Sequence, residues 1–211
     1  MKKLLILLFS LFFLSSPSVF ADDISDFEIG GISIGDSLLE YMPYINENEI
    51  LKKIEISKNL YSYLKEPDKY IEIYLYKDST SYEDISVFIK NNSTNEYATN
   101  KNEKYKILSI TGNIHYIEDF DACIQKRDEI AGELSKMFPN VQKIEKTKQH
   151  PADASGKSIA DAISFLFSTG DKINVYCDNF EETFRIRNGW AEGLVVFIQS
   201  KEFGSWLGSY K

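Results

Sequence analysis

The stretch Tyr70-Ile71-Glu72-Ile73-Tyr74-Leu75-Tyr76 puts Ile71, Ile73 and Leu75 on one side of an extended chain and Tyr70, Glu72, Tyr74 and Tyr76 on the other. Successive side chains of a strand point to opposite faces, so this alternation marks a strand with one buried face. The next segment repeats it, with Ile85, Val87 and Ile89 facing one way and Ser86, Phe88 and Lys90 the other. From Lys104 to Tyr116 a longer strand offers Leu108, Ile110 and Ile114 to the core and Ser109, Thr111, Asn113 and His115 to the opposite face. Three such segments in succession predict an antiparallel meander.

Between Asp119 and Phe138 the period changes to that of a helix, with Cys123, Ile130, Leu134, Met137 and Phe138 forming an apolar stripe that Pro139 and Asn140 end. A second run of strands follows: Ile159 to Phe167, a Ser168-Thr169-Gly170-Asp171 turn, Lys172 to Cys177, and Trp190 to Ile198 after an Asn188-Gly189 turn. Phe203, Trp206 and Leu207 suggest a short closing helix, and Asn91 to Lys104 and Thr147 to Lys157 read as loops. Strands grouped in blocks, with helices before and after them, predict an α+β fold: an antiparallel sheet of meander blocks with helices packed on one face. We expect one domain over residues 22–211, with two halves at about 22–118 and 119–211 that each read as a helix followed by strands.

The chain opens with Lys2 and Lys3, an apolar run from Leu4 to Leu14, then Ser15, Ser16, Pro17 and a small residue, Ala21, before Asp22 and Asp23. This is the pattern of a cleaved signal peptide covering residues 1–21. The apolar run stops well short of the roughly 20 residues a membrane span needs, so no span is expected after cleavage. The protein is therefore expected to be exported, to a periplasmic or extracellular location. Its formal net charge of −8 falls further once Lys2 and Lys3 are removed. An acidic surface repels phosphate backbones and anionic lipid, so no nucleic-acid partner is expected. The two cysteines, Cys123 and Cys177, read first as a disulfide in an oxidising compartment. The alternatives are two buried thiols or a redox pair, and no Cys-x-x-Cys spacing favours the latter. A bond would pin the start of the long helix to the end of a strand.

Gly35-Asp36-Ser37-Leu38 resembles the nucleophile block of the GDSL esterases and lipases, in which the serine is acylated and a histidine supplies the base. The candidate base is His150, but an acid three positions before it is replaced by Thr147, and no Gly-x-Asn-Asp block is present. Ser37-Leu38-Leu39-Glu40 also has capping-box spacing, which makes Ser37 a helix cap rather than a nucleophile. Gly156-Lys157-Ser158 has the ending of a P-loop without its first glycine, which would fall at Pro151, and it leads into a strand. His115 and His150 are the only histidines and neither belongs to a ligand-spaced cluster, so no metal and no other cofactor is expected. Asn91-Asn92-Ser93-Thr94 carries glycosylation acceptor patterns that matter only in a eukaryotic secretory pathway.

The segments Asp26 to Leu39, His150 to Ser158 and Phe203 to Leu207 together resemble a group of small exported proteins of Pelagibacter-like marine bacteria, with Gly30 where an acidic residue would be expected. The resemblance implies a bacterial periplasm and brings no activity with it. The leading expectation is a non-catalytic binding or protein-interaction domain, with an envelope protein or a small ligand as partner. It would present the aromatic face formed by Tyr70, Tyr74, Tyr76, Phe88 and His115, or the Thr147 to Lys157 loop. Aromatic rings bury much area at small entropic cost, which suits them to recognition, although a helix could equally cover them. The alternative expectation is a GDSL-like serine esterase using Ser37 and His150.

Overall fold

The computed structural model describes residues 23–42, 47–75, 81–91, 105–150 and 152–211, and excludes the side chains of 47–51. The signal-peptide segment, Tyr76, Pro151 and residues 92–104 of the loop lie outside the described residues. After a short 3-10 turn the elements run α1 (Leu38–Tyr41), α2 (Glu47–Leu60), β1 (Tyr70–Leu75), β2 (Asp84–Lys90), β3 (Ile107–His115), α3 (Phe120–Met137), β4 (Gln142–Gln149), β5 (Ile159–Leu166), β6 (Lys172–Asn179), α4 (Glu182–Asn188), β7 (Gly193–Gln199) and α5 (Lys201–Leu207). The strands form one seven-stranded sheet in the order β1-β2-β3-β7-β6-β5-β4. Every pairing is antiparallel. The expected α+β antiparallel sheet is what the chain forms, with helices packed on both of its faces rather than on one.

The register turns the alternation seen in the sequence into rows of side chains. Ile73, Val87, Ile110, Ile198, Ile173 and Phe165 follow one another across six strands. They share a face with Ile85, Val196, Val175 and Ile163 in the adjacent row, and all of these side chains are buried. Helix α3 covers this face around Leu134 and Ala131. The predicted stripe is rotated: Met137 is exposed, and Arg127 is buried in its place. The Arg127 guanidinium donates to Asp161 on β5 and to its neighbour Asp128, while Thr147 of β4 donates to the other oxygen of Asp161 at 2.7 Å. A buried cation needs such partners, so the helix turns to bring Arg127 over the sheet.

Cys123 on the first turn of α3 is bonded to Cys177 on β6, with Cα atoms 6.0 Å apart. Both cysteines are fully buried, so the bond joins helix to sheet inside the core. At the opposite end of the other sheet face lies a second core of Leu64, Tyr70, Phe88, Leu108, Phe203 and Trp206. Leu108 belongs here rather than with Ile110, because the β2–β3 register shifts at Phe88 and Ile89 and leaves Leu108 as the extra residue of a bulge. The closing helix α5 forms the roof of this core, capped by Ser200 and held by the Trp206 indole N–H donating to the Glu66 carbonyl at 2.7 Å.

Two elements differ from the sequence reading. Gln142–Gln149 is an edge strand, so the expected loop begins only after Gln149, and all of its residues are exposed. Lys143, Lys146 and Lys148 on such an edge disfavour pairing with other chains. Asn188-Gly189 is not a hairpin turn but the end of α4, where Gly189 takes the left-handed conformation (φ 65°) of a helix C-cap.

The disulfide closes a sequence separation of 54 residues. The loop-entropy treatment assigns such a bond about 4 kcal/mol. Replacing both cysteines by serine is expected to lower the urea-unfolding free energy by about that amount, and an unchanged midpoint would show that α3 is held by packing alone.

Candidate functional site

The sheet separates Ser37 from His150. Ser37 bridges to Lys106, beside the first residue of β3, and its Oγ accepts the Leu39 N–H at 3.4 Å as the cap of α1. His150 follows the last residue of β4, and the pairings carry that end through Ile159 and Asn179 to the far end of β3 at His115. Strands rise about 3.3 Å per residue, so the nine residues of β3 alone place the two side chains roughly 25 Å apart or more. His150 is not placed as a base. Its ring meets Phe180 and Trp190 edge to face at centroid distances of 5.0 and 5.6 Å, and its Nδ1 accepts the Ala152 N–H at 3.3 Å. Burial lowers its pKa, and Lys148 adds to the effect.

The predicted aromatic platform is divided. Tyr70 is 0% exposed and Phe88 4%, because α5 lays Phe203 and Trp206 over them, with ring centroids 4.7 to 5.5 Å away for the three nearest contacts. These two rings form a core, and no partner reaches them in this fold. Tyr74, 48% exposed, and His115 remain on the open part of the same face. His115 Nε2 lies 3.6 Å from Asp84. Lys53 stands 5.6 Å over the Tyr74 ring.

Beyond them lies a feature that sequence reading missed. On the last row of this face the register places Lys148, Ala160, Asp178, Gly193 and His115 side by side. The small neighbours Ala160 and Gly193 leave a recess around Asp178. Gly193 is required there, since a Cβ would stand 2.2 Å from the Ile114 carbonyl oxygen. Two adjoining clefts, of about 440 and about 400 Å³, share Asp178, Phe180 and Glu192. Tyr116, Phe120, Glu182 and Arg185 belong to the first, and Tyr74, His115 and Trp190 to the second.

The two carboxylates at this junction, the buried Glu192 and the half-buried Asp178, have opposite surroundings. Glu192 accepts the Phe180 N–H through Oε1 at 3.0 Å and the Glu118 N–H through Oε2 at 3.1 Å, and the Arg185 Nε is 3.8 Å away. Its carbonyl also accepts the Tyr116 N–H, so one residue joins the β3–α3, β6–α4 and α4–β7 connections. Asp178 has no such set. Its Oδ1 is buried without a hydrogen-bond partner among the described residues. Burial pushes its pKa up to about 7, with Lys148 pulling the other way. An unpartnered buried carboxylate oxygen is costly, and such positions mark sites built to be completed by something else.

The expected Thr147 to Lys157 loop has a structural task. Asp153 is buried and accepts hydrogen bonds from the Ser155 N–H and Oγ and from the Ser158 N–H and Oγ, at 2.7 to 3.0 Å. These donors hold its pKa well below the usual carboxylate range. Ser158 Oγ in turn accepts the Glu181 N–H, and Glu181 caps α4 by accepting the Phe184 N–H. The loop therefore braces the helix that walls the cleft. Among the described residues no group of three His, Cys, Asp or Glu side chains could hold a metal ion, and no helix is long and apolar enough to cross a membrane.

Asp178 gives a stability test. Its folded pKa is raised above the ordinary 3.8, so between about pH 4 and about pH 7 the folded chain binds a proton that the unfolded chain releases. Stability from this group therefore declines as pH rises through that window. Asp178→Asn is expected to match the parent near pH 4 and to exceed its stability by about 4 kcal/mol near pH 8, read by urea unfolding; equal stability at both values would place the carboxylate in water.

Comparison with protein-family models, with curated proteins and with solved structures finds no match to this chain.

Proposed function

We propose that the mature chain is a non-catalytic binding protein of an exported, periplasmic compartment, and that its ligand occupies the clefts around Asp178. The observation that carries this reading is the buried, unpartnered Oδ1 of Asp178 at the junction of the two clefts. The clefts are of the size that holds small molecules, roughly 300–1,000 Å³, and combine aromatic walls with a few polar groups. A rigid sheet end, joined by Glu192 and braced by the Asp153 loop, supplies a preformed site. The signal-like start and the internal disulfide support export, because such bonds persist in oxidising compartments. Tyr74 and His115, from the predicted aromatic face, contribute to the second cleft.

The acyl-transfer alternative has no assembled base. A nucleophilic serine needs a histidine within hydrogen-bond reach, and Ser37 is instead engaged as a cap at the other end of the sheet. A serine-reactive fluorophosphonate is expected to leave the protein unlabelled; labelling that vanishes in Ser37→Ala would restore the esterase reading.

For the binding reading, screening a small-molecule library by amide NMR shifts is expected to produce hits that perturb residues 178–193 and lose affinity in Trp190→Ala. Hits that bind only elsewhere, such as along α2, would overturn the assignment of the site. Crosslinking of the tagged mature protein in intact cells tests the same site against an envelope partner, whose capture through the cleft residues would make the ligand a protein segment.

A further inference from the structure

We propose that the cleft around Asp178 takes an organic cation, an amine or guanidinium nitrogen carried on a small apolar body. The inference rests on the reading of this cleft as the binding site and names the chemistry of what it holds.

The first support is the hydrogen-bond inventory. A carboxylate accepts and cannot donate, so a hydrogen-bond donor is what completes Asp178, and a cationic N–H does so most strongly because the bond is charge-assisted. The second is charge. Asp178, Glu118, Glu182 and Glu192 line the first cleft, and its only cationic side chain among the described residues is Arg185. Arg185 is already committed, at 3.5 Å from Glu118 and 3.8 Å from Glu192. Neither Asp178 nor Glu182 has an ion-pair partner among the described residues. Lys148, the nearest other cation on this row, stands two strands away beyond Ala160 on the exposed edge strand.

The third support is the wall. Phe180 and Trp190 meet edge to face with centroids 5.3 Å apart, and Trp190 is 40% exposed, which leaves ring surface toward the cleft. Aromatic faces attract cations and also bury the apolar part of an amine. A neutral ligand would leave the carboxylate charge buried and unpaired, and an anion would add repulsion to that cost.

A cation also favours the ionised form of Asp178, so binding strengthens as pH rises through the range in which that group loses its proton. The other charged groups facing the site are Glu118, Glu182, Glu192 and Arg185 around the first cleft, His115 held beside Asp84 in the second, and Lys148 on the edge.

The test uses the disulfide-intact mature chain and three ring compounds of similar shape: benzylamine, benzyl alcohol and phenylacetate, each titrated by amide NMR. Benzylamine is expected to shift residues 178–193 saturably and to bind about tenfold or more tightly than benzyl alcohol, with phenylacetate weaker still. Its affinity is expected to fall about tenfold or more from about pH 8 to about pH 5.5 in the parent and to be nearly flat with pH in Asp178→Asn, whose spectrum away from the cleft reports that it is folded. Lys148→Ala, which removes an edge cation without touching the cleft wall, is expected to tighten benzylamine binding. Benzyl alcohol or phenylacetate binding at residues 178–193 as well as benzylamine would overturn the cation and leave the cleft as a site. If none of the three shifts those residues, the cation and the binding reading of the cleft both fall.

Discussion

Strand β7 is hydrogen-bonded on both sides, to β3 through pairs such as Ile110 and Ile198 and to β6 through pairs such as Val175 and Val196. That double pairing is what makes one sheet of two meanders. Without it, β1-β2-β3 and β4-β5-β6 would each present an unpaired edge and half of a buried face. With it, the apolar rows run unbroken beneath α3, and the Cys123–Cys177 bond ties that helix to the strand beside β7. The end of the sheet where β7 begins is also where Gly193 allows the close approach of β3, so the same junction that closes the core opens the recess beside Asp178.

Glu192 and Asp178 show how position decides the role of a carboxylate. Glu192 is reached by two backbone N–H groups and by Arg185, and its negative charge is used to hold three connections together. Asp178 sits on the sheet itself, where its backbone is consumed by the ladder and its cross-strand neighbours Ala160 and Gly193 have nothing to donate. Burial without donors raises its pKa and leaves an acceptor unused. Rigid surroundings then keep the recess from collapsing: the Asp153 network braces α4 from one side, and the His150, Phe180, Phe184 and Trp190 rings pack one another on the other. His150 thus serves packing, where its sequence context suggested chemistry.

The fold was readable wherever one face of an element is buried. β1, β2, β3, β5 and β6 announce themselves by alternation, and α3 by its stripe. The edge strand β4 did not, because both of its faces are exposed and Gln142 to Gln149 carries no apolar period. The short helix α4 was missed for a related reason: it buries only Phe184, and its Asn188-Gly189 terminus carries the same residues as a hairpin turn. Tyr70 and Tyr74 lie on one face of one strand and read alike in the sequence, yet one is core and the other open, since α5 reaches only one end of the sheet.

The sequence by itself determined the α+β class, the antiparallel blocks and the capping role of Ser37, because each depends on residues close in the chain, and it left the two cysteines as a pair whose bond the structure then showed. Only the tertiary structure decided that Ser37 and His150 stand at opposite ends of the sheet, that half of the aromatic face is covered, and that Asp178 Oδ1 lies buried between two small neighbours. Those outcomes depend on which strands become neighbours and in what register, and a pairing between β3 and β7 leaves no local trace in either strand.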